Sequence, residues 1–157
     1  MTLFSSFQTD VFKKNAIYVR VGADGKTIIL VDENGKGGGN VIAPEGRKIT
    51  WVNDASFTDA STAVRYFTCK LTFKELLSDT DDDYGGPLWP FDPETDPDPP
   101  NCSVTIAAKT PEGVKSKWSG HLKKKNGVKY YKYDVELIPT NGAPPPLPHD
   151  PILIIED

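Results

Sequence analysis

Along "RYFTCKLTFK" (65–74), Phe67, Cys69, Leu71 and Phe73 fall on one face and Tyr66, Thr68, Lys70 and Thr72 on the other. That period of two is the pattern of a half-buried strand. It recurs in "KYYKYDVEL" (129–137), which places Tyr131, Tyr133, Val135 and Leu137 inward and Tyr130, Lys132, Asp134 and Glu136 outward. Shorter apolar runs predict strands at 16–21, 26–32, 47–52, 103–109, 120–125 and 152–156. Only "FTDASTAVRYF" and "TFKELLSD" offer a helical turn, and neither has room for a long amphipathic helix. The expected class is therefore all-β: a single domain over 1–157, built as a two-sheet antiparallel β-sandwich of Greek-key type.

Turn residues sharpen this picture. Asp24-Gly25 and Asn126-Gly127 suit the positive φ angles of tight hairpins, the second joining "HLKKK" to "VKYYKY". The run "ENGKGGGN" (33–40) lacks the spacing of a phosphate-cradling loop and reads as a flexible connection. Residues 139–150 form a Pro-rich bend before the last strand.

The longest break in the alternation is "DTDDDYGGPLWPFDPETDPDPP" (79–100), with eight carboxylates and six prolines. Asp79, Asp81 and Asp83 have the i, i+2, i+4 spacing of a calcium loop. The later positions of that loop, which call for Gly and Glu, hold Tyr84 and Pro90. Weak Ca²⁺ binding is thus the one cofactor reading, set against a solvated strand-to-strand connection. At its centre, Tyr84, Leu88, Trp89 and Phe91 either pack down to anchor the loop or form an exposed partner-binding patch.

Charge elsewhere is segregated. The net charge of −4 gives no general pull toward nucleic acid or anionic membrane, yet residues 115–132 hold seven lysines and no acid. Trp118, Lys123, Lys124 and Lys125 in that segment make a second candidate contact surface, with bases stacking on rings as one use for it. The absence of arginine from the patch and the acidic total weigh against nucleic acid and leave it third. A salt-sensitive homo-oligomer, in which the acidic loop of one molecule meets the basic hairpin of the next, or contact with another protein, comes ahead of it.

Candidate chemistry is sparse. Cys69 and Cys102 form no CxxC pair and are expected as free thiols, with Cys69 in the core. His121 and His149 lack the close pairing of zinc ligands. Asp54, Asp59 and Asp134 are the acids that a paired-carboxylate mechanism would draw on. The chain start has no continuous apolar stretch or cleavage site of a secretory signal, and no run approaches the ~20 apolar residues of a membrane helix. The expectation is a cytoplasmic protein with no membrane partner.

The order "APEGRKITWVND…RYFTCKLTF…KYYKYDVELIP", over roughly 41–138, resembles the cupredoxin-like sandwich, with its "GDxVxWxN" strand and late "YxYxC" strand. The resemblance implies that fold without its copper. No His occurs between Trp51 and Leu71, Asp134 and Val135 follow Tyr133 where the family's Cys would come, and the sole Met is Met1. "ITW", "YKYDV" and "HDPILIIED" also resemble bacterial inclusion-body proteins, which implies a non-enzymatic, self-assembling role. The expected function is a non-enzymatic binding or self-assembly module, the alternative a small-ligand-binding protein or enzyme with a pocket under the 79–100 loop.

Overall fold

The alternating segments become strands of two stacked sheets. The computed structural model describes residues 11–12, 16–32, 34–77, 84–92, 102–142 and 144–157. In the larger sheet, β1 (Val11–Phe12), β4 (Asn40–Pro44), β12 (Ile152–Glu156), β11 (Tyr130–Pro139) and β7 (Val64–Leu76) lie side by side in that order. The free side of β7 is shared by three short strands, β6 (Ser56–Thr58), β9 (Ser103–Ile106) and β8 (Tyr84–Pro87). The smaller sheet has the order β10 (Ser116–His121), β5 (Lys48–Asn53), β2 (Ala16–Val21), β3 (Ile28–Val31).

The inward residues are those the alternation assigns. Ile17, Val19, Ile49 and Trp51 from the smaller sheet face Phe67, Cys69, Leu71, Phe73, Tyr131, Tyr133, Val135 and Leu137 from the larger one, none more than 3% exposed. Each such large side chain contributes roughly 1.5–3 kcal/mol through burial. The long β7–β11 pair, in antiparallel register from Tyr131↔Glu75 to Pro139↔Phe67, is the spine of the sandwich.

The sheets are mixed rather than purely antiparallel. β1 with β4, β4 with β12 and β2 with β5 are parallel pairs. After β3 the chain crosses into the other sheet as β4 and returns as β5 beside β2, and a parallel pair needs such a crossing rather than a hairpin.

Four local expectations are corrected. Asn126 and Gly127 do take positive φ, but they join β10 to β11, which belong to different sheets; the connection is a crossover, not a hairpin, and its strand is 116–121 rather than 120–125. Neither candidate segment is helix: "FTDASTAVRYF" supplies β6, a tight turn closed by the Thr62 N–H on the Asp59 carbonyl, and the start of β7, and "TFKEL" supplies its end. The glycine run is not merely a loose connection. A Cβ on Gly39 would lie 2.2 Å from Leu30 Cδ1 and 2.8 Å from Pro151 Cγ, and the Gly39 carbonyl accepts a hydrogen bond from the buried Tyr133 hydroxyl. Lys132 points away from the core as expected but is 2% exposed, with its ammonium 3.1 Å from Asp150 Oδ2.

Candidate functional site

The aromatics of the long connection close one end of the sandwich. Tyr84–Pro87 is a strand on β7, and the chain then drops Trp89 and Phe91 into the core at 3% and 0% exposure, with Leu88 partly buried beside them. Phe91 meets Phe73 edge-on at 4.9 Å, Trp89 at 5.1 Å and Trp118 at 5.0 Å between ring centres. Gly120 makes room, since a Cβ there would stand 2.5 Å from the Phe91 ring. Trp89 and Phe91 therefore anchor the segment and do not form the exposed patch, because aromatic area removed from water outweighs any surface role. The Tyr84 side chain and the candidate calcium ligands Asp79, Asp81 and Asp83 lie outside the described residues.

Folding breaks up the lysine segment. Lys115 and Lys117 flank the start of β10, Lys123 is exposed in the crossover, and Lys132 is buried on β11. Lys124 and Lys129 both bond Asp157, whose carboxyl those bonds hold down to about 2. The Lys125 backbone N–H donates to the Tyr131 hydroxyl, which donates to the Val128 carbonyl. Trp118 stacks on Trp51 at 5.9 Å as part of the core's rim. Much of the block's charge thus has an internal carboxylate.

A different basic group is drawn together at the other end. Asp54 follows the last residue of β5, its backbone N–H donating to the Val19 carbonyl at 3.0 Å. Its carboxylate takes Arg20 Nε from β2 at 3.0 Å and Lys109 Nζ, from the segment after β9, at 2.9 Å. Lys115 Nζ, just before β10, stands 3.8 Å away. Arg20 and Lys115 also lie over the Tyr18 ring, at 5.5 and 5.6 Å from its centre. Asp54 is 10% exposed, whereas Arg20, Lys109 and Lys115 are 35%, 22% and 40% exposed. Three cations thus share one recessed carboxylate and carry a local charge of about +2 at a wetted surface.

Asn53 builds this site. It is fully buried, and its Nδ2 donates across the sandwich to the Phe67 carbonyl at 2.8 Å and the Ala107 carbonyl at 3.0 Å. Its Oδ1 accepts from the Ala55 N–H at 3.1 Å. The clamp ties β5 to β7 and to the chain leaving β9, which sets Lys109 beside Asp54. Partial burial raises the Asp54 pKa, but the hydrogen bonds from Lys109 and Arg20 and the charges of Lys109 and Lys115 outweigh it and hold the carboxyl below its ordinary value. No spacing in the chain announces this site, because Arg20, Asp54 and the Lys109–Lys115 pair come from three separate segments, β2, the end of β5 and the β9–β10 connection.

The remaining candidates do not assemble chemistry. Asp59 is held by Ser61 and by Arg65 at 3.2 Å, and Asp134 by Lys74 at 3.0 Å, so Asp54, Asp59 and Asp134 each have a different basic partner. Cys69 and Cys102 are both buried, and burial pushes Cys69 up to about 12, far from a reactive thiolate. Among the described residues no three His, Cys, Asp or Glu side chains converge as metal ligands, and no helix is long and apolar enough to cross a membrane. A half-open groove of about 280 Å³ runs between β11 and the Pro-rich bend, lined by Leu137, Pro139, Pro145 and Pro146, with Glu136 as its charged residue. It does not lie under the 88–91 segment, and it lacks the convergent polar groups of a ligand site.

Comparison with known proteins finds no matching family model, curated protein or solved structure.

Proposed function

We propose that the chain is a non-enzymatic binding module on a copper-free, cupredoxin-like sandwich, and that it recognises an anionic group through Arg20, Lys109 and Lys115. The convergence of these three cations on the recessed Asp54 carries the reading. Ordinarily such a surface costs repulsion among like charges. Here Asp54 holds the cations together before any ligand arrives, and the sharing leaves each with unspent donors. Arg20 uses only Nε on Asp54, so its two terminal amino groups supply the paired donor geometry that suits a carboxylate or phosphate oxygen pair. The Tyr18 face limits where the Arg20 and Lys115 heads move, which lowers the entropy lost on binding.

Titration with inorganic phosphate, followed by NMR at the Arg20 Nε–H and the lysine side chains, tests the reading. Saturable shifts at Arg20, Lys109 and Lys115, weakened severalfold by Lys115→Gln, are expected. Shifts that stay linear, or that appear equally at Lys123 and Lys36, would show only general ion atmosphere and end the proposal.

A further inference from the structure

We propose that the anionic group is a phosphate of single-stranded nucleic acid, and that the strand runs from the Arg20, Lys109 and Lys115 cluster along the outer face of the smaller sheet, past Lys117 to Lys48; this rests on the anion-site reading above. Strand register puts these residues on one face. Ile49, Trp51 and Asn53 of β5 and Trp118 and Gly120 of β10 point into the sandwich, so Lys48 and Thr50, with Lys117, Ser119 and His121, point out of it beside Tyr18 and Arg20 of β2. None of the outward residues of these three strands is an acid. Asp54, where β5 ends, is already shared by the three cations of the cluster.

The cations repeat along the strand direction. Lys115 stands beside Asp54, Lys117 pairs with Val52, Ser119 with Thr50 and His121 with Lys48, so cations mark the first, second and fourth rows of side chains across the sheet. Rows on one face lie two residues apart, about 6.8 Å, and the path from Lys115 to Lys48 is about 20 Å long. That repeat is comparable to the phosphate-to-phosphate step of an extended single strand, whereas the phosphates of inorganic polyphosphate, joined through one oxygen, stand much closer together. In the third row the mutual bond of the Thr50 and Ser119 hydroxyls, 2.6 Å long, uses one proton and leaves the other to donate to a phosphate oxygen. A flat sheet face has no element to enter a duplex groove, but an extended strand can lie along it. Arg20 and Lys115 lie over the Tyr18 ring, so the face supplies charge rather than a stacking platform, and binding is independent of base sequence. The net charge of −4 does not prevent contact: at ~0.1 M salt the Debye length is about 10 Å, so a strand on this face feels mainly the lysines nearest it.

The test is fluorescence anisotropy with a labelled oligothymidylate of eight nucleotides, titrated over a range of salt. Contacts at the cluster, Lys117 and Lys48 predict a slope of log K against log salt of about −2, at about −0.7 for each phosphate neutralised. Lys117→Gln and Lys48→Gln change exposed side chains, and each should flatten the slope by about 0.7 while leaving the phosphate titration of the cluster unchanged. Lys36→Gln should alter neither. An oligoadenylate of the same length should bind within about twofold, and a duplex of that length more weakly. Unchanged slopes in the Lys117 and Lys48 variants, with phosphate still saturating the cluster, would overturn the nucleic-acid path and leave the anion site standing. If phosphate fails as well, both readings fall. Tighter binding of polyphosphate of equal charge, or of vesicles carrying anionic lipid, would also overturn the proposal, in favour of that ligand.

Discussion

The two ends of the sandwich are held by opposite physics. At one end Trp89 and Phe91 are pressed between the sheets, and the closure is apolar area and ring packing. At the other a single buried amide, Asn53, spans the sheets through directed hydrogen bonds, and a cluster of charge sits on top of it. The apolar end tolerates small shifts because dispersion and burial are non-directional. The polar end does not, since a misplaced donor leaves buried carbonyls unpaired. A surface that must hold three like charges in register is better built on the second kind of support, and that is where the cation cluster lies.

Substitutions can break this contrast, and the largest effect belongs to the apolar end. Phe91→Ala should cost about 4 kcal/mol in denaturant unfolding, as a ring surrounded by Phe73, Trp89 and Trp118 leaves a cavity. Phosphate binding by the molecules that remain folded should be unchanged, and a parallel loss of binding would mean the two ends are coupled. Asn53→Ala should cost less, about 3 kcal/mol, through the orphaned Phe67 and Ala107 carbonyls and the Ala55 N–H. It should nevertheless weaken phosphate binding in the folded protein, because Lys109 is no longer tied to Asp54; equal binding by this variant would show that the clamp does not position the site.

The smallest effect is a matter of pH. The Asp54 carboxyl is held below its ordinary value of 3.8 in the folded protein. Its ionised form therefore stabilises the fold, fully above about pH 4, and that contribution is lost as pH falls through the lowered folded value. Asp54→Asn should lower stability at neutral pH by about 2 kcal/mol and flatten the acid limb below pH 4 relative to wild type. An acid limb of the same steepness in both would assign it to other carboxylates, such as Asp157, which Lys124 and Lys129 hold at about 2.

The charged residues show why a linear reading succeeds in one place and not in another. Residues 115–132 are the densest lysine segment, yet β10 and β11 enter different sheets, so the segment is split and Lys124, Lys129 and Lys132 meet Asp157 and Asp150. Arg20, Lys109 and Lys115 have no common motif, yet they converge. Proximity along the chain implies proximity in space only within one strand or turn, and in a sandwich built by crossings between sheets most neighbours are distant in sequence.

The sequence alone determined what depends on local geometry. A period of two decides which side chains face inward, so Phe67 to Phe73 and Tyr131 to Leu137 were legible with their orientations, as were the all-β class and the inert position of Cys69. Positive φ at Asn126 and Gly127 was legible for the same reason. Only the tertiary structure decided which strands are neighbours, that β2 and β5 run parallel, that Trp89 and Phe91 are core, and that Asp54 gathers three cations. Those outcomes are set by burial and charge pairing between segments tens of residues apart, and no local pattern encodes a partner that far along the chain.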